Sequence, residues 1–152
     1  MDGNFDISFV NIQKLQTATE LRECNDLTIK FGLSLSEQQI QNIVQKRFEA
    51  LKDTGRIEFR QGVLKKLITA FCDSPYIIQE NYEDTIIEIQ DSFYYFKNES
   101  HDIISDEELI NLMKHHFDGI CQGSLQYLSD LTLRDLYRSS WDDNDIDDTD
   151  IF

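Results

Sequence analysis

The amino-acid sequence predicts an all-α protein, a single-domain bundle or array of five to six helices with a disordered acidic C-terminal tail. Apolar residues recur at steps of three and four in several segments, which is the period of an amphipathic helix. The 152 residues include a single Pro. Only residues 56–60, RIEFR, alternate apolar and charged side chains, and this run is too short to found a sheet. We therefore expect an N-terminal extension with room for a short helix (1–13), a helical domain (14–141) and the tail (142–152).

The first two helices have recognisable starts or stops. One apolar stripe spans residues 15–31, and Gly32 is a residue that readily ends a helix in the left-handed conformation. Ser36 and Gln39 form a capping-box pair, which predicts the start of a second helix ending near Gly55. The apolar face of this second helix is expected to comprise Ile40, Ile43, Val44, Phe48 and Leu51.

The middle of the chain predicts two more helices. Residues 63–71 keep the helical period until Asp-Ser-Pro at 73–75 breaks it. The pair Asn81 and Asp84 favours an N-cap for the next helix. This helix has the strongest apolar pattern in the chain, at Tyr82, Ile86, Ile89, Phe93 and Phe96.

The last part of the domain shows the same signals. Ser105 and Glu108 form a second capping box, and Gly119 closes the segment that they open. A final helix is expected over residues 124–136.

The charge of the chain is strongly negative and unevenly distributed. There are 29 acidic and 14 basic side chains, a formal net charge of −15. Residues 1–72 carry +1, residues 73–141 carry −10, and residues 142–152 carry −6. Because phosphate backbones and anionic membranes are bound by clustered Lys and Arg, we expect no direct nucleic-acid binding and no membrane association. The charge instead favours a protein partner with a basic surface.

The cysteines and the N-terminus indicate a cytoplasmic protein. Cys24, Cys72 and Cys121 are widely spaced and odd in number, which disfavours a disulfide framework. The first residues carry acidic rather than basic side chains, and no long uncharged apolar stretch follows. A homo-oligomer is compatible with these observations.

Four strings carry a resemblance to a known family: ELRECNDLTIKFGLSLSEQQ, AFCDSPYI, DSFYYFKNES and FDGICQGSL. The segment from Thr19 to Arg138 resembles an uncharacterised family, a domain of unknown function, of small acidic helical proteins from anaerobic Gram-positive bacteria. The resemblance implies an all-helical cytoplasmic protein. It implies no activity, cofactor or site residue.

The aromatic run at 93–96 and Cys121 are the features that could build a ligand site. Four consecutive aromatics cannot share one helix face, so Phe93 and Phe96 are expected in the core, while Tyr94 or Tyr95 reaches an interface or a cleft wall. Cys121 lies in a glycine-flanked turn, where a thiol is more accessible than on an apolar stripe. The alternative function is therefore a small-ligand binder or enzyme with a pocket near these residues.

No catalytic, cofactor-binding or metal-binding residue is assigned. His115 and His116 are adjacent and so point about 100° apart on a helix, which prevents both from facing one metal. In the tail, the spacing of Asp143, Asp145 and Asp147 is that of a calcium loop, but Asp148 stands where such a loop needs glycine.

The leading hypothesis is an interaction module that engages a basic partner through its acidic half and its tail, in the extreme case by imitating nucleic acid. The candidate tail residues are Trp141, Asp142, Asp143, Asp145, Asp147, Asp148 and Asp150. Residues 46–66 form a locally basic stretch. This stretch could bind an anion, or the tail could fold back on it and mask it.

Overall fold

Six α-helices and two 3-10 turns make up the part of the chain that the computed structural model describes, residues 2–58 and 62–144. Side chains are described for residues 9–58 and 62–138. No strand occurs in these ranges, so the prediction of an all-α bundle is confirmed. The helices are α1 (Asp2–Thr28), α2 (Glu37–Thr54), α3 (Leu64–Phe71), α4 (Tyr82–Glu99), α5 (Asp106–Asp118) and α6 (Leu125–Asn144).

Helix α1 is continuous from Asp2 to Thr28, so residues 2–13 belong to the same helix as the apolar stripe that follows them. A 3-10 turn, Ile29–Phe31, extends this helix. Gly32 ends it at φ 79°, a left-handed conformation that glycine adopts without steric cost. The predicted glycine stop is confirmed.

The capping box at the start of α2 forms as predicted. The Ser36 hydroxyl accepts from the Gln39 N–H at 3.2 Å, and the Gln39 side chain accepts from the Ser36 N–H at 2.9 Å. At the start of α5, the Ser105 hydroxyl accepts from the Glu108 N–H at 3.2 Å. The Glu108 carboxylate then bonds the Ser105 hydroxyl instead of its N–H, so the second box is incomplete.

Asn81 is the N-cap residue of α4, as predicted, but its side chain makes no capping hydrogen bond to that helix. Its side chain accepts from the Ile78 N–H at 2.9 Å and donates to the Tyr76 carbonyl at 3.2 Å. Asparagine side chains readily bond nearby backbone groups, and here that bonding holds a 3-10 turn, Gln79–Asn81, ahead of α4.

Helix α4 lies at the centre of the bundle. It packs against α2, α3 and α6, while α1 packs on α2 and α3, and α5 packs on α3 and α6. Its predicted apolar stripe is confirmed as core, since the five side chains are at most 2% exposed. Burial continues on its other faces at Thr85, Gln90, Tyr94 and Lys97. A helix buried on most of its sides is expected at the centre of an array.

Glu58 lies in the irregular connector that follows α2. Its Oε1 accepts hydrogen bonds from Arg47 Nη2 at 2.9 Å and from the Tyr94 hydroxyl at 2.6 Å. Its backbone carbonyl accepts from Gln13 Nε2 at 3.4 Å. A Cβ on Gly62 would lie 2.7 Å from Glu58 Oε1, so glycine leaves room for this contact. Arg47, Glu58 and Tyr94 are called the Glu58 cluster below.

A second ion pair is formed at the start of the connector, two residues before Glu58. The Arg56 guanidinium binds Asp102 twice, with Nη2 to Oδ1 at 2.7 Å and Nη1 to Oδ2 at 3.2 Å. Nη1 also donates to Asn98 Oδ1 at 2.7 Å. The hydrogen bonds from Arg56 hold the pKa of Asp102 below its usual range.

Glu58→Gln should lower the free energy of unfolding by about 3 kcal/mol, because it removes the carboxylate charge that is hydrogen-bonded to the guanidinium of the buried Arg47. Urea unfolding measures this change. The matched control is Glu37→Gln, which makes the same substitution in the exposed pair with Arg22 and should have little effect. Equal effects of the two substitutions would contradict a special role for the Glu58 cluster.

Asp102→Asn should lower the free energy of unfolding near neutral pH by about 0.5 kcal/mol, since this carboxylate is half exposed and screened by solvent. The pKa of Asp102 is lower in the folded chain than in the unfolded chain. Its contribution is therefore complete above the unfolded pKa and is lost as pH falls through the folded pKa. Unfolding measured from neutral to acidic pH should show the two proteins converging, and a constant difference would refute this assignment.

Candidate interaction surface

The aromatic run on α4 divides between the core and the surface. Phe93 and Phe96 are buried, as predicted. Tyr94 is also fully buried, and its hydroxyl bonds Glu58 within the fold. Burial and the adjacent carboxylate raise the pKa of Tyr94 above its usual range. Tyr95, at 46% exposure, is the aromatic of the run that reaches solvent.

Tyr95 has an acidic and an aromatic neighbour. The carboxylate of Glu99, one turn further along α4, raises the pKa of the Tyr95 hydroxyl, and Tyr137 of α6 lies near enough to add to the effect. Tyr137 is 50% exposed. Two partly exposed tyrosines from different helices, α4 and α6, therefore lie in the same region of the surface.

Carboxylates from two helices meet one turn before Tyr95. Partial desolvation raises the pKa of Asp91, and the charges of Glu88 on α4 and of Asp53 and Glu49 on α2 raise it further. Lys46 opposes them, and its Nζ lies 3.7 Å from Glu49 Oε1. The acidic face, as the term is used below, consists of Glu49, Asp53, Glu88, Asp91, Tyr95, Glu99 and Tyr137.

Cys121 lies in the turn between α5 and α6, as its flanking glycines predict. Its side chain is nevertheless buried in that turn. Its side chain is 5% exposed, comparable to Cys24 and Cys72, and all three are free thiols. Burial raises the pKa of Cys121, as it does for the other two. A thiol with a raised pKa is less often the reactive thiolate.

The two histidines of α5 occupy different environments. His115 is exposed, whereas His116 is mostly buried with its Nε2 at 2.7 Å from Asp135 Oδ2 of α6. This contact joins α5 to α6. Among the described residues, no three His, Cys, Asp or Glu side chains are grouped as metal ligands would be.

The tail candidates lie at or beyond the end of the described chain. Trp141, Asp142 and Asp143 belong to the last turn of α6, and their side chains are outside the described residues. Asp145, Asp147, Asp148 and Asp150 also lie outside the described residues.

The basic stretch at 46–66 is divided among several ion pairs. Arg47 binds Glu58, Arg56 binds Asp102, and Lys66 Nζ lies 2.9 Å from Glu107 Oε1. These cations belong to α2, the connector and α3 rather than to one face. Much of the local positive charge therefore serves contacts within the fold.

The described surface includes a groove and a smaller hollow. A groove of about 460 Å³ lies between α3 and α5, lined in part by Lys65, Thr69 and Ile110. A second hollow of about 360 Å³ lies between α1 and α2 and includes Leu15 and Gln41. Neither hollow is lined by the aromatic run or by Cys121.

Sequence reasoning missed the Glu58 cluster and the contribution of Tyr137 to the surface. The alternating RIEFR string was a weak signal for the first, because a charged residue between apolar ones can point inward. For Tyr137 there was no signal, since residues on α4 and α6 become neighbours only when the helices pack.

Most of these residues lie in a segment that matches a known protein family. A model for the DUF6323 family, described as a family of unknown function, matches residues 20–144. The chain belongs to this family. The expected resemblance to a domain of unknown function is thereby confirmed, while acidity and bacterial origin as family traits stay predictions.

No curated protein and no solved structure matches the chain. The DUF6323 match contains the whole acidic face but excludes the first two thirds of α1 and the residues after Asn144. Among the described helices, none combines the length and the apolar character needed to cross a bilayer.

Cys121 should be labelled by a thiol reagent before Cys24 and Cys72, because a turn opens locally at lower cost than the interior of a helix. Cys121 should still react more slowly in the folded protein than in the protein unfolded by urea, since burial raises the pKa of its thiol. Mass spectrometry of labelled peptides over time measures both rates. Faster labelling of Cys24 or Cys72 would show that the helices open before the turn.

Proposed function

We propose that this protein is a small cytosolic interaction module that binds a basic segment of a partner protein through its acidic face. The supporting observation is the grouping of Asp91 with Glu88, Asp53 and Glu49: desolvation is the main cause that raises the pKa of Asp91, these carboxylates raise it further, and Lys46 opposes them. Repulsion between neighbouring carboxylates destabilises the free protein. Cations supplied by a partner would relieve that repulsion, so its unfavourable free energy would be removed on binding.

The tyrosines support a protein partner over simple ions. Tyr95 and Tyr137 present partly exposed rings beside the carboxylates. An arginine side chain can stack its guanidinium on such a ring while its charge faces an acidic group. Tyrosine and arginine are also enriched at the centres of protein interfaces.

The net charge and the tail support fast capture of such a partner. A net charge of −15 attracts basic surfaces over a distance set by salt, and residues 142–152 contribute −6 of that charge. In this proposal the tail extends the acidic face and raises the association rate. The three free cysteines agree with a reducing compartment.

Replacing Glu88 by Gln together with Asp91 by Asn should weaken the binding of an arginine-rich peptide by about three- to tenfold at low salt. The same variant should raise the melting temperature of the free protein at neutral pH, because the raised pKa of Asp91 means that its charged form is disfavoured in the fold. Calorimetric titration and thermal unfolding measure the two effects.

The matched control replaces Glu23 by Gln and Asp26 by Asn, two exposed positions of α1. It removes the same net charge from another side of the molecule. If both variants weaken binding equally, net charge alone drives it and the acidic face is not the binding surface. Independently of this comparison, affinity purification from native cytosol at low and high salt would identify the natural partner.

A further inference from the structure

The groove between α3 and α5 is lined by two helices that run in the same direction. Lys66 Nζ of α3 lies 2.9 Å from Glu107 Oε1 of α5. Further along both helices, Lys114 Nζ of α5 donates to the Ala70 carbonyl of α3 at 2.8 Å. The charged residues that line the groove therefore lie together at the end where both helices begin, and they are Lys65, Lys66 and Glu107.

The next turn of each helix makes the groove apolar. Ala70 of α3 and Ile110 of α5 line this part, and both pack in or against the hydrophobic core. Thr69 and Asn111 are exposed beside them and carry groups that can form a hydrogen bond. From Lys65 to Ala70 a helix rises about 8 Å, which sets the length of the apolar part. The volume of about 460 Å³ is in the range of small-molecule sites.

The charged end of the groove favours an anion. Lys65 and Lys66 are exposed neighbours in the first turn of α3, which contains no acidic side chain. The N-terminus of α3 adds the positive end of its helix dipole. Lys65 is close enough to Glu20 of α1 for its charge to oppose the rise that burial causes in the pKa of Glu20. Within the described chain, however, Lys65 forms no ion pair.

Glu107 competes with any anion that enters this end. Its ion pair with Lys66 is exposed, at 68% for the Glu107 side chain and 50% for Lys66. Exposed pairs of this kind contribute little to stability. A ligand carboxylate can therefore replace Glu107 beside Lys66 at small cost to the fold.

We propose that the groove between α3 and α5 binds a small amphipathic monocarboxylate. Its carboxylate lies between Lys65 and Lys66, and its apolar body lies along Ala70 and Ile110. A single negative charge matches Lys65, whereas the net charge of −15 disfavours ligands with several negative charges. The charged and apolar residues occupy successive turns of the two helices, so the groove accepts such a ligand in one orientation. This site is separate from the aromatic run and from Cys121, which do not line it.

Octanoate, kept below the concentration at which it forms micelles, is the probe. Titrated into the full chain, it should give saturable shifts in the amide NMR signals of Gly62, Lys66, Ala70 and Asn111. Hexanoate should bind about four- to tenfold more weakly, because it buries two fewer CH₂ groups. Octylamine has the same apolar body and the opposite charge, and it should not shift these signals. Equal shifts with octylamine, or octanoate shifts spread over the surface, overturn the proposal.

Lys65→Gln should weaken octanoate binding about three- to tenfold, because it removes the cation that the carboxylate approaches. The position is exposed, so the far-ultraviolet circular dichroism spectrum should stay the same. The matched control is Lys52→Gln, which removes the same charge from an exposed position of α2 and should leave binding unchanged. Equal weakening by both substitutions would show that net charge, and not the groove, controls binding.

Glu107→Gln should change octanoate affinity in the opposite direction. It removes the competitor for Lys66, so binding should strengthen about two- to fivefold. Glu80→Gln is the matched control, since it makes the same substitution at an exposed position before α4 and should have a smaller effect. Weaker octanoate binding after Glu107→Gln overturns the placement of the carboxylate beside Lys66.

The groove and the acidic face can be tested separately. Replacing Glu88 by Gln together with Asp91 by Asn should affect octanoate binding no more than the matched change at Glu23 and Asp26. Lys65→Gln should leave binding of the arginine-rich peptide at least as strong as before. Absence of octanoate binding with peptide binding retained would overturn the groove site alone, and the reverse result would overturn only the proposed function.

Discussion

The fold depends on one residue, Glu58, which lies in the connector after α2 and joins it to three helices. Through its side chain it binds Arg47 of α2 and Tyr94 of α4, and through its backbone carbonyl it binds Gln13 of α1. A buried guanidinium is tolerated only with an opposing charge and satisfied hydrogen bonds. The connector after α2 therefore has to bring Glu58 inward, and this places α1 and α2 correctly against the central helix.

The surface divides into two sides with different physical character. Around Asp91, carboxylates from α2 and α4 face each other, and two tyrosines lie next to them. Over residues 9–16 of α1, the exposed side chains are apolar or carry uncharged amides. A charged side favours partners of opposite sign, whereas a neutral apolar side favours close contact.

Candidate site residues were the least predictable from the sequence. Tyr94 and Tyr95 are adjacent and identical in chemistry, yet one is fully buried and the other is exposed. Periodicity shows that four aromatics in a row cannot share a face, but it does not show which neighbouring helix covers the additional one. Cys121 is a similar case, since its glycine-flanked turn was predicted and its burial depends on how α5 and α6 pack.

The sequence by itself determined the helices, the caps at Ser36 and Ser105 and the stop at Gly32, because spacing, capping and glycine conformation act within a few residues. It also determined the division of charge along the chain. Only the tertiary structure decided the Glu58 cluster, the meeting of α2 carboxylates with those of α4, and the proximity of Tyr95 to Tyr137. Apart from Arg47 and Glu58, which are 11 positions apart, these contacts join residues more than thirty positions apart in the chain. Helical periodicity describes which side of one helix is apolar, whereas such contacts depend on how separate helices are oriented against each other.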